Sequence, residues 1–155
     1  ERVAAYVGIG EGEGAELVFG GQRPDGLDQG NFLQPTIFAQ VDNTMRVAQE
    51  EIFGPVVSLL TFRDDDEAIA LANDTTYGLA ATVWTTSLER ALVATDRLEA
   101  GVVWTNCPQH EVWHASYVGR RQSGQEVDLG DEVIRTFTRP KLSYMTSRAN
   151  QSPWA

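Results

Sequence analysis

Val56-Val57-Ser58-Leu59-Leu60-Thr61-Phe62 opens the stretch of sequence that decides the fold. This short apolar run is rich in β-branched residues, lies between Gly54-Pro55 and Arg63-Asp64, and predicts a buried strand. Asp64-Asp65-Asp66-Glu67 comes next, a capping residue with a carboxylate three positions on, which predicts a helix start. Acidic side chains there also complement the positive end of the helix dipole. Ala68, Ile69 and Ala72 supply the apolar stripe, and Tyr77-Gly78 closes the unit. The pattern then repeats. Leu79-Ala80-Ala81-Thr82-Val83-Trp84-Thr85 reads as a second strand. Ser87 caps a second helix with Leu88, Ala91, Leu92, Thr95 and Leu98 at helical spacing, and Gly101 stops it. Val102-Val103-Trp104-Thr105 is a third strand. Two successive strand–helix–strand units predict parallel strands joined by right-handed crossovers. The fold class is therefore α/β, a parallel sheet with helices packed on it.

Outward from this centre the signals are shorter. Residues 1–13 read as a helix, although Gly8, Gly10 and Gly12 each weaken it by about 1 kcal/mol relative to alanine. A strand is expected at residues 15–19, a Gly/Pro/Asp loop at 20–31, a strand at 36–41 and a short helix at 44–49. Beyond Cys107 the chain reads as irregular up to Asp128. A short helix follows near residues 131–137, and a final strand, residues 141–146, follows Pro140.

Composition narrows the function classes. A chain of 155 residues suffices for one domain burying roughly two thirds of its unfolded surface. No run approaches the ~20 apolar residues of a membrane-spanning helix. Glu1-Arg2-Val3-Ala4-Ala5-Tyr6 has neither the basic start nor the apolar core of a signal peptide. It opens without Met inside a helix-like pattern, which predicts a piece of a longer polypeptide. The net charge of -10, with no basic cluster longer than Arg120-Arg121, argues against nucleic acid and against an anionic membrane surface as partners. A single cysteine, Cys107, excludes an internal disulfide framework and a Cys-based zinc site, and the redox reading is cytoplasmic.

At Gln49-Glu50-Glu51-Ile52-Phe53-Gly54-Pro55-Val56 the sequence resembles the E-E-x-F-G-P-V motif of aldehyde dehydrogenases. Gly20-Gly21, Gly30, Phe32 and Pro35-Thr36 precede it in the order found in that family. The segments Ala72 to Thr85 and Gly101 to Asn106 follow it, similar to A-N-x-T-x-Y-G-L-A-A-x-V-W-T and G-x-V-W-x-N. The resemblance covers nearly the whole chain. It implies that residues 1–139 are the C-terminal part of a catalytic domain, and residues 140–155 an oligomerisation strand and tail that pair with a partner subunit. The intact enzyme would oxidise a small-molecule aldehyde to an acid with NAD or NADP as a homo-oligomer. A Cys thiolate attacks the aldehyde, hydride passes to nicotinamide, and water releases the thioester. The family's nucleophile, oxyanion-stabilising Asn and general-base Glu would all precede Glu1, so no catalytic residue is expected here.

By the same resemblance Glu51 would bind the cofactor, its carboxylate accepting from two hydroxyls of the nicotinamide ribose. Phe53 would pack near the nicotinamide ring, and Gly54-Pro55 would set the turn that aims both. Read without the motif, Glu51 is a solvated residue at a helix end and Phe53 a core aromatic. Asn106, Cys107 and Tyr117, with Trp104 and Trp113, would face the aldehyde's tail, against core packing as the other reading. A thiol–imidazole pair of Cys107 with His110 or His114 is a further reading, but nothing upstream provides an oxyanion hole. A metal site on the two histidines is disfavoured because Pro108 argues against a helix there and no third ligand is evident. The stretch from Ser116 to Asp128 departs from the family's glycine-rich P-F-G-G-x-K-x-S-G-x-G-R-E, keeping Gly119 and Ser123-Gly124, which predicts a different loop path. That departure keeps open a second function, a non-catalytic binding or assembly module built from the same fold.

Overall fold

The computed structural model describes residues 1–107, 110 and 112–145. Helix α1 (Arg2–Glu13) turns Tyr6, Val7 and Gly10 into the interior. Gly10 is a packing slot: a Cβ there would lie 2.8 Å from Cζ of Phe38, whose ring is completely buried. Strand β1 (Glu16–Phe19) runs antiparallel to β2 (Thr36–Ala39). Helix α2 (Arg46–Gln49) follows, and β3 (Val56–Ser58) then lies parallel to β2. Tyr6, Val7, Ala15, Phe38, Val41, Val47 and Ile52 form the core of this half. Thr36, the one buried polar side chain among the described residues, accepts from the Gly21 N–H and donates to the Gln34 carbonyl, each at 3.0 Å.

The second half is built on helix α3 (Asp65–Asn73), the short β4 (Tyr77–Gly78), β5 (Ala80–Val83), helix α4 (Leu88–Arg97) and β6 (Val102–Thr105). Both helices start where the sequence says. Asp64 Oδ1 accepts from the Glu67 N–H at 2.9 Å, Glu67 reaches back to the Arg63 N–H at 2.6 Å, and Ser87 Oγ accepts from the Arg90 N–H at 3.3 Å. Such caps satisfy orphan donors of the first turn. Strands β5 and β6 are parallel from Ala80 opposite Val102 to Val83 opposite Thr105, joined through α4 as expected. Ile69, Ala94 and Leu98 form a second core with Ala81, Val83 and Val103 around it.

The α/β class holds, with parallel pairs β2–β3 and β5–β6, but several local expectations change. The run from Val56 is not a buried strand: pairing covers three residues, and Val57, Leu59 and Phe62 are about half exposed. Among the described residues β3 does not pair with β5, so the first strand–helix–strand unit adds no strand to the β5–β6 pair. The apolar face of α4 is rotated, with Ala91 and Ala94 buried and Leu88 and Leu92 exposed. Burial within the helix follows Ala91 and Ala94 rather than Leu88 and Leu92, and the predicted Leu98 at its C-cap is buried as expected. Finally, the stretch after Cys107 is more ordered than predicted. Strand β7 (Tyr117–Val118) pairs with β9 (Val127–Asp128), and β8 (Arg120–Arg121) pairs with β4.

Helix α5 (Val133–Phe137) lies where a short helix was expected. Residues 141–145 form no strand, and Leu142, Tyr144 and Met145 are almost fully exposed. Thr146, the expected end of that strand, lies outside the described residues, as does Pro108. Among the described residues no helix is long and apolar enough to cross a membrane.

Candidate cofactor-facing turn and substrate-side loop

The turn that follows α2 alternates inward and outward residues. Glu50 faces helix α1, where its carboxylate accepts from Tyr6 Oη at 2.5 Å and from Arg46 Nε and Nη2 at 2.9 and 3.0 Å. The Arg46 guanidinium, followed by the Tyr6 hydroxyl, brings the Glu50 carboxyl down from 4.5 to about 2. Ile52 is buried. Gly54 rests on α1 so closely that a Cβ would lie 2.5 Å from Val3 Cγ1. The Pro55 carbonyl accepts from the Thr36 N–H at 2.8 Å, which fastens the turn to β2.

Glu51 and Phe53 point the other way. Among the described residues the Glu51 side chain is exposed and makes no hydrogen bond or ion pair, while its backbone carbonyl accepts from Arg2 Nη2 at 2.7 Å. Phe53 is 85% exposed and holds φ at 61°, a left-handed conformation uncommon for a bulky side chain. An exposed aromatic held in that conformation is the kind of local cost that a ligand-facing turn retains. Glu50, Glu51, Phe53, Asn43 and Ser58 belong to the lining of an open groove of about 350 Å³.

The loop beyond β6 is arranged differently. Asn106, also at positive φ (55°), spends both ends of its amide on Thr85: Oδ1 accepts from the Thr85 N–H at 2.9 Å, and Nδ2 donates to the Thr85 carbonyl at 2.8 Å. Its geometry is that of a clamp between the ends of β5 and β6. Cys107 is half-buried just past the clamp. Trp104 and Tyr117 come together, ring centroids 6.3 Å apart and planes inclined at 35°, and Trp104 Nε1 donates to the His110 carbonyl at 3.0 Å. Trp113 is exposed. Among the described residues no hydrogen bond joins Cys107 to His110 or His114, and no group of three potential ligands gathers to hold a metal.

Sequence reading missed the residues that fix these parts. Tyr6 and Arg2 act on the turn from 44 and 49 positions away, a separation that leaves no local pattern. The Arg46–Glu50 pair, at i,i+4, was within reach of the spacing rule. Arg121 is a third anchor. Its guanidinium donates to the carbonyls of Asn73 and Thr75 at the end of α3 and pairs with Glu99. The loop from Ser116 to Asp128 is thus tied down by a cation on a helix C-terminus.

An outward carboxylate and an outward aromatic thus share one stiffened turn of an α/β scaffold. The chain belongs to the aldehyde dehydrogenase family, whose sequence profile matches residues 1–143. It is 39% identical over 154 residues to the chloroplastic betaine aldehyde dehydrogenase of Atriplex hortensis, covering 99% of this chain and 30% of that protein. It is 49% identical over 127 residues to acetaldehyde dehydrogenase 2 of Cupriavidus necator, covering 80% of this chain and 25% of the relative. Among solved structures, an aldehyde dehydrogenase of Mycobacterium tuberculosis complexed with NAD+ superposes with a TM-score of 0.85 at 40% identity, over 94% of this chain and 31% of that one. An indole-3-acetaldehyde dehydrogenase complexed with NAD+ gives the same TM-score at 44% identity, over 89% of this chain and 28% of the other. The chain therefore spans about 30% of the length of the first of these relatives.

Proposed function

We propose that this chain is part of the catalytic domain of an NAD(P)-dependent aldehyde dehydrogenase that converts an aldehyde to a carboxylic acid through a Cys thioester. The nucleophile, the oxyanion-stabilising Asn and the general-base Glu come from sequence outside residues 1–155, and residues 140–155 serve assembly into a homo-oligomer. The observation that carries the reading is the split within Glu50-Glu51: one carboxylate is consumed by Tyr6 and Arg46, while its neighbour has no partner among the described residues and stands beside an exposed Phe53. Two carboxylate oxygens suit a pair of adjacent hydroxyls, and an exposed ring suits the apolar face of a nicotinamide. The residues present therefore fit the ribose–nicotinamide end of the cofactor. When bound, that cofactor takes up the hydride lost by the aldehyde. Glu51 accepts from the ribose hydroxyls and sets the height of the ring, and Phe53 covers the ring and sheds water from it. Trp104, Tyr117 and Cys107 supply the wall along which the aldehyde's tail lies, with Asn106 holding their loop to Thr85.

The test is Glu51→Gln in the assembled dehydrogenase that carries this segment. The amide keeps size but gives up the charge and one acceptor, and the KM for NAD is expected to rise by about tenfold or more, the worth of a hydrogen bond to a charged group. An unchanged KM for NAD would overturn the ribose contact. The purified 155-residue chain is expected to form no NADH from NAD and an aldehyde. Steady NADH production from it would overturn the placing of the nucleophile elsewhere.

A further inference from the structure

The cofactor-facing turn is gripped by one compact group of side chains from α1 and α2. Arg2 and Arg46 stand 5.7 and 5.6 Å from the centroid of the Tyr6 ring. Each guanidinium then continues to the turn, Arg2 to the Glu51 carbonyl and Arg46 to both oxygens of Glu50. The Tyr6 hydroxyl itself donates to Glu50. One residue along α1, Val3 closes over Gly54. So both neighbours of the Glu51 side chain are held, the Glu50 carboxylate by three donors and the Glu51 backbone carbonyl by a fourth, while among the described residues the Glu51 carboxylate is held by none.

We infer that Arg2, Tyr6, Arg46 and Glu50 are positioning residues that aim Glu51 at the nicotinamide ribose. The inference rests on the ribose contact proposed above and adds what keeps it in place. A lone exposed glutamate gives up side-chain freedom when it is ordered. Fixing the backbone in advance removes the further cost of ordering the turn on binding. The bond between α1 and the turn also explains why Phe53 keeps a positive φ: with Glu50, the Glu51 carbonyl and Gly54 all fastened to α1, the intervening backbone has little room to relax.

The experiment is a double-mutant cycle in the assembled dehydrogenase. Tyr6→Phe removes one donor to Glu50 and leaves the ring under the two guanidiniums; Glu50→Gln weakens all three bonds. Each is expected to raise the KM for NAD, and equally the Kd for NAD read by calorimetric titration without aldehyde, by about five- to tenfold, the net worth of a hydrogen bond, with the KM for the aldehyde within about twofold of wild type. Combined with Glu51→Gln, neither is expected to raise the KM for NAD further, because a brace has no effect once the group it aims is disabled. Additive losses in the double variants, an equal rise in both KM values, or no change in either single variant would overturn the inference. If Glu50→Gln does not fold, Tyr6→Phe, which keeps the packing, decides the matter alone. An unchanged KM for NAD in Glu51→Gln by itself marks failure of the ribose contact, a result distinct from additivity, which marks failure of the brace only.

Discussion

Two adjacent glutamates with opposite fates show how much a side chain's partners matter. Glu50 and Glu51 have the same chemistry, and the sequence distinguishes them only by position in a motif. Three donors reach Glu50, and its carboxyl is brought down from 4.5 to about 2. The sign of the consequence follows. A folded-state value below the unfolded one means that the unfolded chain binds the proton more readily. The stabilisation from Glu50 is thus complete above about pH 4.5 and fades as the pH falls toward about 2. Acid unfolding of the wild-type chain is expected to show this as a loss of stability across that window. In Glu50→Gln the slope between those pH values should be shallower and the stability at neutral pH lower. Circular-dichroism melts at successive pH values measure both, and parallel profiles for the two proteins would refute the assignment.

At the scale of elements, helix α1 carries three glycines that sequence alone treats alike, and the structure separates them. Gly8 and Gly12 are exposed with nothing within 4 Å of an added Cβ, whereas a Cβ at Gly10 would meet the Phe38 ring at 2.8 Å. Gly8→Ala and Gly12→Ala are therefore expected to stabilise the chain by about 0.5–1 kcal/mol each through helix propensity. Gly10→Ala is expected to cost about 1–3 kcal/mol through overpacking. Urea unfolding of the three variants checks both signs, and a stabilising Gly10→Ala would show that Phe38 yields. The same contrast explains which elements were legible. Caps at Asp64 and Ser87 and each element of the β5–α4–β6 crossover are encoded within a dozen residues, so period and capping residues expose them. The rotation of α4 toward Ala91 and Ala94 depends on what α3 presents to it, and the exposure of β3 depends on which strands lie beside it. Neither is written in the local pattern. Of the site, Glu51 and Phe53 were legible only as parts of a motif. Tyr6, Arg2 and Arg121 were not legible, because their hydrogen-bond partners lie at least 22 positions away.

For the whole molecule the question is whether copies associate against a net charge of -10. Self-repulsion opposes association at low ionic strength, where the screening length is long, about 30 Å at 0.01 M salt. Against it stands the C-terminal stretch, where Leu142 is 94%, Tyr144 87% and Met145 88% exposed, with Phe137 at 83% just before it. Apolar side chains so grouped, on a segment that pairs with no strand among the described residues, form a candidate association surface. Residues 141–145 are accordingly expected to join copies of the chain, more tightly at high salt than at low, because screening removes the repulsion without weakening apolar burial. Sedimentation velocity across a salt series should show a dimer or larger species growing with ionic strength. Leu142→Asp with Tyr144→Asp places two further charges in that surface and should return the chain to monomer at every salt concentration. The exposed Trp84, Leu88 and Leu92 provide the competing apolar face. If the double variant still associates and Leu92→Asp abolishes association, the face of α4 is the contact, and a strictly monomeric wild type would rule out both.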